Sequence, residues 1–205
     1  MHDYDIRERG NLQTASKALI LLHGRGATAE NIMQLADFFG DDDWYVVAPQ
    51  ATGYQWYPYS FLMPSGQNEP WLSSSIDLVK KITDNIAEKI PSENIYMMGF
   101  SQGACLTAEV AARYAFKYGG LGIFTGGLIG EEPARELYKG DFKGTRVYIS
   151  NGNNDPHIPQ SRSEETRDQL HGMGAEVTLD IFPGREHTII QEEIDRAREF
   201  LSGSG

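Results

Sequence analysis

The feature that most constrains this chain is a glycine-rich turn between a short apolar run and a stretch rich in helix-forming residues. The apolar run covers residues 95–98, the turn is residues 99–103 with the sequence G-F-S-Q-G, and the helix-forming stretch covers residues 104–114. Glycines at the ends of the pattern G-x-S-x-G let the backbone turn tightly from a strand into a helix. The segment therefore predicts a buried strand, a strained turn that exposes the Ser101 hydroxyl, and a helix.

The rest of the chain alternates between apolar, strand-like runs and helical segments. Strands are predicted at residues 18–22, 44–48, 95–98, 122–125, 146–150 and 177–182, with an edge strand around residues 4–9. Helices are predicted at residues 28–39, 73–90, 104–114, 161–171 and 191–201. This alternation predicts an α/β fold with a mostly parallel central sheet and helices on both faces. The connection between residues 125 and 146 is too short for a large cap domain.

Length and charge limit the classes of partner. The 205 residues predict one domain over residues 1–201, with residues 202–205 as a flexible tail. The net charge of −11 argues against nucleic acid and anionic membrane surfaces as partners. Cys105 is the only cysteine, so no internal disulfide can form, and no apolar run is long enough to span a membrane. The N-terminus has no signal-like apolar core, so we expect a cytoplasmic location.

Two loop residues, Asp155 and His187, complete a candidate catalytic set with Ser101. A serine hydroxyl becomes a good nucleophile when an imidazole takes its proton, and the imidazole needs an acid to fix its tautomer. Asp155 and His187 follow the strands predicted at residues 146–150 and 177–182, so both should lie at the carboxyl edge of the sheet. The chain order Ser, Asp, His also fits a nucleophile turn of this kind. We therefore predict a catalytic triad.

Each member of this set also has a plainer interpretation. The serine can be solvated in a simple turn, an Asp-Pro pair is common in loops, and a loop histidine is often solvated. His157 is the rival base, but it lies only two residues from Asp155 in the same loop. Glu186 is the rival acid, but it adjoins His187 and should point away from it. Three matches in the right order favour the triad.

A negatively charged intermediate would need two preorganised N–H donors, which together form an oxyanion hole. The backbone amide of Gln102 is one candidate because it lies at the positive end of a helix dipole. The second should come from the loop at residues 23–26, where we nominate the amide of Arg25, with Gly26 as the fallback. The alternative is that this loop is only a tight turn from strand to helix.

The same loop offers a competing motif. Residues 24–29 fit the dinucleotide fingerprint G-x-G-x-x-G/A, which would indicate a nicotinamide enzyme. That interpretation requires an acidic residue at the end of the next strand, but this strand ends in Pro49 and Gln50, whereas residues 41–43, all aspartate, precede it. No His, Cys or Asp set has metal-ligand spacing. We expect no metal and no cofactor, and we expect Cys105 to be a buried packing residue.

A long irregular loop, residues 50–71, is unusually rich in aromatic residues. A loop of this length within a compact domain is usually functional or disordered, and the aromatic content argues against disorder. We predict that it forms the wall or lid of a substrate pocket, and the alternative is a packing loop. The predicted pocket residues are Trp56, Tyr57, Phe61 and Trp71.

Four ordered motifs give the chain a specific resemblance. They are residues 22–26, 99–104, 152–159 and 182–187. Together they resemble the phospholipase/carboxylesterase family of α/β-hydrolases, which includes acyl-protein thioesterases and small bacterial carboxylesterases. The resemblance covers nearly the whole chain and implies an α/β-hydrolase fold without a cofactor.

By resemblance, Ser101, Asp155 and His187 are the triad, and the amides of Arg25 and Gln102 are the oxyanion donors. Many acyl-protein thioesterases have an apolar residue at the position of Arg25, and the aromatic segment at residues 56–61 also departs from them. The expected function is therefore a serine carboxylesterase acting on small acyl esters. An acyl-protein thioesterase or a lysophospholipase is the alternative, as is a non-catalytic binding protein on the same fold. A homodimer is left open.

Overall fold

The computed structural model describes residues 1–39 and 43–202 of the chain. Within these residues, seven strands form one sheet in the order β1-β3-β2-β4-β5-β6-β7. Along the chain they are β1 (Ile6–Arg9), β2 (Lys17–Leu22), β3 (Trp44–Pro49), β4 (Ile95–Phe100), β5 (Gly120–Phe124), β6 (Arg146–Gly152) and β7 (Glu176–Phe182). Only β1 runs antiparallel, along β3 at one edge, and every other pairing is parallel. The predicted α/β architecture is confirmed.

Six α-helices connect the strands in the described residues. They are α1 (Ala29–Met33), α2 (Ala36–Phe39), α3 (Trp71–Ala87), α4 (Gln102–Arg113), α5 (Gln160–Gly172) and α6 (Gln191–Ser202). The single helix predicted at residues 28–39 is wrong, because the segment forms two short helices. The amides of Gln34 and Leu35 donate to carbonyls three residues back, so the first helix tightens and ends there. Its predicted N-cap is present, since Thr28 Oγ1 accepts from the Asn31 amide at 3.2 Å.

The core consists of two apolar layers, one on each face of the sheet. On β2, Ala18, Ile20 and Leu22 belong to one layer, while Leu19 and Leu21 belong to the other. Helices α3, α4 and α5 cover the first face, and α1, α2 and α6 cover the second. A strand covered on both faces explains the continuous apolar run in the sequence.

The connection from β5 to β6 contains one short 3₁₀ turn, Arg135–Leu137, and no cap domain. The predicted tail begins at Ser202, which is the last residue of α6, and residues 203–205 lie outside the described residues. Residues 41 and 42, which entered the argument against dinucleotide binding, also lie outside them. None of the helices in residues 1–39 and 43–202 is long and apolar enough to cross a membrane.

Candidate active site

The nucleophile turn joins β4 to α4 with a strained backbone. Ser101 has φ 54° and ψ −118°, between the last residue of β4 and the first residue of α4. A Cβ atom added to Gly103 would lie 2.0 Å from the carbonyl oxygen of Leu22, and one added to Gly99 would lie 2.3 Å from the carbonyl oxygen of Gly103. The two glycines are therefore needed because the helix approaches β2 and β4 too closely for a side chain.

Ser101, His187 and Asp155 form a continuous chain of hydrogen bonds. His187 Nε2 lies 2.8 Å from Ser101 Oγ, and His187 Nδ1 lies 2.8 Å from Asp155 Oδ2. A carboxylate only accepts, so Nδ1 carries the ring proton and Nε2 is free to accept from the serine hydroxyl. The structure thus brings together three side chains that the sequence separates by up to 86 positions.

The Asp155 carboxylate is buried and uses both oxygens. Oδ1 accepts from the amides of His157 at 2.9 Å and Ile158 at 3.0 Å, while Oδ2 faces His187. Burial alone would favour the neutral acid, but the hydrogen bonds from the His157 amide and the His187 ring outweigh it and lower the pKa of Asp155. The carboxylate is therefore ionised at neutral pH and can hold the imidazole in one orientation.

The rival base and acid do not take these positions. The ring of His157 lies edge-on to the ring of His187, with the centroids 4.8 Å apart, and it makes no hydrogen bond to Ser101. Glu186 is not the acid partner of the imidazole, because the carboxylate in contact with His187 Nδ1 is that of Asp155.

The loop at residues 23–26 passes directly beside Ser101. A Cβ atom added to Gly24 would lie 3.4 Å from the Cβ of Ser101. Among the described residues, no acceptor occupies the amides of Arg25 and Gln102, whereas the amide of Gly26 donates to the Tyr54 carbonyl at 2.7 Å. The fallback donor Gly26 is thus already engaged, and the two nominated amides are free for a ligand.

The aromatic loop is tied to the two residues that supply these amides. The Arg25 guanidinium donates to the carbonyls of Tyr57 at 3.0 Å, Pro58 at 2.9 Å and Tyr59 at 2.8 Å. The Gln102 side chain accepts from the amide of Trp56 and donates to the carbonyl of Tyr57. These contacts hold residues 56–59 beside the Arg25 and Gln102 amides, where the loop forms a wall.

A cavity of about 570 Å³ opens at Ser101, between this wall and the loops that follow β6 and β7. Tyr57 and Phe61 belong to its lining, together with Arg25, Pro58, Tyr59, Ser60, Ser101, Gln102, Cys105, His157, Ile158 and His187.

The prediction that Trp56 and Trp71 line the pocket is wrong. Trp56 is fully buried behind the wall, where its indole N–H donates to the His23 carbonyl at 2.8 Å. Trp71 begins α3 and packs against the ring of His2, with the centroids 5.2 Å apart. Trp56 is part of the core and Trp71 packs against it partly buried, so neither side chain reaches the cavity.

Two histidines that sequence reasoning passed over support the same loops. His23 Nε2 accepts from the Ala51 amide at 3.1 Å, so its Nδ1–H donates to the Gly24 carbonyl at 2.8 Å. His2 accepts from the Thr52 amide and contacts the Trp56 carbonyl. Burial lowers the pKa of both rings, which keeps them neutral. The position of His23 just after β2 could have indicated a role near the site. Nothing in the sequence around His2 indicated such a role.

Cys105 lies four residues beyond Ser101 and is buried. Burial raises the pKa of its thiol to about 12, so it stays protonated and is a poor nucleophile. In the described parts of the chain, no group of three or more His, Cys, Asp or Glu side chains could hold a metal ion.

The sheet topology and the nucleophile turn define the α/β-hydrolase fold. Residues 9–204 match the model of the phospholipase/carboxylesterase family. The chain belongs to this family, and the expected membership is confirmed.

Individual proteins give the same result. A phospholipase/carboxylesterase from Dyadobacter fermentans DSM 18053, known from a crystal structure, has 48% sequence identity to this chain. The two structures superpose with a TM-score of 0.95 over 98% of this chain and 97% of that one. Acyl-protein thioesterase 1 of Gibberella zeae is 30% identical over 58% of this chain and 52% of its own length. A probable carboxylesterase, SOBER1-like, from Arabidopsis thaliana is 28% identical over 67% of this chain and 53% of its own length. The chain spans about half the length of these two curated relatives.

Proposed function

We propose that the protein is a serine hydrolase that cleaves small carboxylic esters through an acyl-enzyme intermediate. The observation that carries this proposal is the hydrogen-bond chain from Ser101 Oγ through His187 to Asp155, with 2.8 Å at each step. Nucleophile, base and orienting acid are within hydrogen-bond reach of one another beside an open cavity, which is the arrangement that acyl transfer requires.

In the first step, His187 Nε2 takes the hydroxyl proton as Ser101 Oγ attacks the ester carbonyl carbon. The carbonyl π electrons move to the oxygen and form a tetrahedral oxyanion. The imidazolium then donates its proton to the leaving alcohol as the C–O bond breaks, which leaves an acyl group on Ser101. Asp155 remains ionised and stabilises the imidazolium throughout.

The free amides of Arg25 and Gln102 would stabilise the oxyanion. Both belong to elements held in place before substrate arrives, Arg25 through its guanidinium contacts and Gln102 as the first residue of α4. Preorganised donors need no rearrangement when negative charge develops, and one such donor contributes about 3 to 4 kcal/mol. In the second step, His187 activates a water molecule that releases the acid and restores Ser101.

The cavity favours a small substrate. It is open to solvent, and its polar residues, including Arg25, Ser60 and His157, surround the nucleophile, so it does not form a closed apolar tunnel. A protein thioesterase is the second candidate, because one relative carries the name acyl-protein thioesterase 1. A lysophospholipase is a further variant of the same chemistry.

We also propose that the protein acts in the cytoplasm on small-molecule esters rather than on nucleic acid. The net charge of −11 argues against a nucleic-acid partner, since a phosphate backbone would be repelled.

The decisive experiment compares wild type with Ser101→Ala on p-nitrophenyl esters and acyl thioesters of two to sixteen carbons. We expect wild type to turn over the short esters best and Ser101→Ala to fall to background hydrolysis with an unchanged circular dichroism spectrum. Turnover that survives Ser101→Ala would refute the proposal. A preference for long acyl thioesters would select the thioesterase instead, and no turnover of any compound would favour a binding protein.

A further inference from the structure

The loop that carries His187 contains a buried arginine that the proposed mechanism does not use. Arg185 lies two residues before His187 in the connection from β7 to α6, and only 7% of its surface is exposed. A charged guanidinium is rarely buried to this degree without several hydrogen bonds.

The Arg185 guanidinium holds the backbone on both sides of His187. Its Nη1 donates to the carbonyl of Glu186 at 3.0 Å and to the carbonyl of Thr188. These are the residues immediately before and after His187, so the two contacts hold the backbone on either side of the residue that carries the imidazole.

The other end of the guanidinium reaches the strand next to the nucleophile. Nη2 donates to Thr125 Oγ1 at 2.7 Å, and Thr125 directly follows β5 with φ 59°. The preceding residue, Phe124, accepts from the Ser101 amide at 3.0 Å. One planar guanidinium group therefore links the base loop to the end of β5, which accepts from the Ser101 amide.

A buried glutamate completes this connection. Glu193, in the first turn of α6, accepts from the Ile190 amide at 2.8 Å through Oε2, which also lies 3.5 Å from Arg185 Nε. Both side chains are almost inaccessible to solvent. Burying such a pair costs desolvation energy and is weak support for a purely stabilising role.

We propose that Arg185, with Glu193 as its counter-charge, is a positioning residue that sets the imidazole of His187 against Ser101. The inference rests on the proposed function. It predicts that loss of the planar guanidinium lowers the rate of the chemical step and leaves substrate binding unchanged. The reason is that a displacement of about 1 Å at a catalytic group can cost about a hundredfold in rate.

The test uses p-nitrophenyl acetate and normalises each kcat to the fraction of enzyme that a fluorophosphonate finally labels. A merely structural role lowers the labelled fraction but leaves kcat per labelled site unchanged. For Arg185→Lys, which keeps the charge but cannot bridge three acceptors, we expect kcat per labelled site to fall about tenfold or more, with KM within about twofold of wild type.

Arg162→Lys is the matched control. Arg162 is equally buried and donates to three carbonyls, those of Leu128 at 2.8 Å, Gly130 at 2.7 Å and Glu131 at 2.8 Å, so it braces residues 128–131 and not the base loop. Its kcat per labelled site should stay within about twofold of wild type.

If Arg185→Lys does not fold, two substitutions of Thr125, which accepts from the Arg185 guanidinium, test the inference instead. Thr125→Val removes the hydroxyl that accepts from Arg185 and should lower kcat per labelled site about threefold or more, whereas Thr125→Ser keeps that hydroxyl and should not. Values within twofold of wild type for both Arg185→Lys and Thr125→Val would overturn the inference while leaving the proposed function intact. A wild-type enzyme that neither turns over nor becomes labelled would overturn both.

Discussion

At the scale of single residues, the site depends on the Asp155 carboxylate, because both of its oxygens accept hydrogen bonds. One oxygen is held by the amides of His157 and Ile158, and the other faces His187 Nδ1. Because the hydrogen bonds outweigh burial and lower the pKa of this carboxyl, its charge persists well below neutral pH. The charge keeps the ring proton on Nδ1, and that in turn leaves Nε2 free to accept the serine proton.

Replacing Asp155 by Asn tests this tautomer argument. The amide would keep the size of the side chain, but it could present an N–H to Nδ1 and so favour the tautomer with its proton on Nε2. We expect kcat to fall on the order of 10³ to 10⁴-fold with little change in KM. Steady-state kinetics on p-nitrophenyl acetate measures the effect, and a loss of less than tenfold would show that the carboxylate does not orient the base.

At the scale of elements, the strand-turn-helix around Ser101 is held by close backbone packing as well as by local conformation. The positive φ of Ser101 costs about 1 to 3 kcal/mol, which surrounding contacts must offset. Part of the offset comes from α4, whose first turn lies against β2 at Gly103 with no space for a side chain.

Gly103→Ala should therefore destabilise the whole protein. Its Cβ would lie 2.0 Å from the Leu22 carbonyl oxygen, a backbone atom that cannot rotate away, so we expect the free energy of unfolding to fall by about 3 kcal/mol or more. Gly66→Ala is the matched control, because nothing lies within 4 Å of the added Cβ, and it should change stability by less than about 0.5 kcal/mol. Urea unfolding compares them, and equal midpoints would contradict the close-packing argument.

Elements were also the level at which sequence reasoning worked best. Each predicted strand is present within about two residues, because continuous apolar runs such as β2 are typical of strands covered on both faces. The prediction of one helix at residues 28–39 was wrong, because helix propensity is a local property and does not reflect tertiary packing. Here Leu35 turns into the core, where it is 8% exposed.

The arrangement of the site itself was only partly accessible from sequence. Placing Asp155 and His187 after consecutive strands was enough to predict that they meet Ser101, because parallel strands end at one edge. Which side of a loop faces a cavity is decided by tertiary packing, so Trp56 was assigned to the lining although it lies behind it. The contacts of Arg185 with Thr125 and of His2 with Thr52 join residues 50 or more positions apart, for which a single sequence carries no signal.

At the scale of the whole molecule, four loops at the carboxyl edge of the sheet converge on one point. The loops after β2, β4, β6 and β7 supply, respectively, the Arg25 amide, Ser101, Asp155 and His187. The strands that carry these loops belong to one hydrogen-bonded sheet, so the relative positions of the four groups are a property of the entire sheet. The aromatic wall then closes one side of the cavity through its contacts with Arg25 and Gln102.

The most direct measurement of the central claim is to map a fluorophosphonate adduct by mass spectrometry on wild type and His187→Ala. We expect one adduct per chain on the peptide containing Ser101 in wild type, and a labelling rate at least about a hundredfold lower in His187→Ala, because the hydroxyl loses its base. An adduct on any other residue, or equal labelling rates in the two proteins, would contradict it.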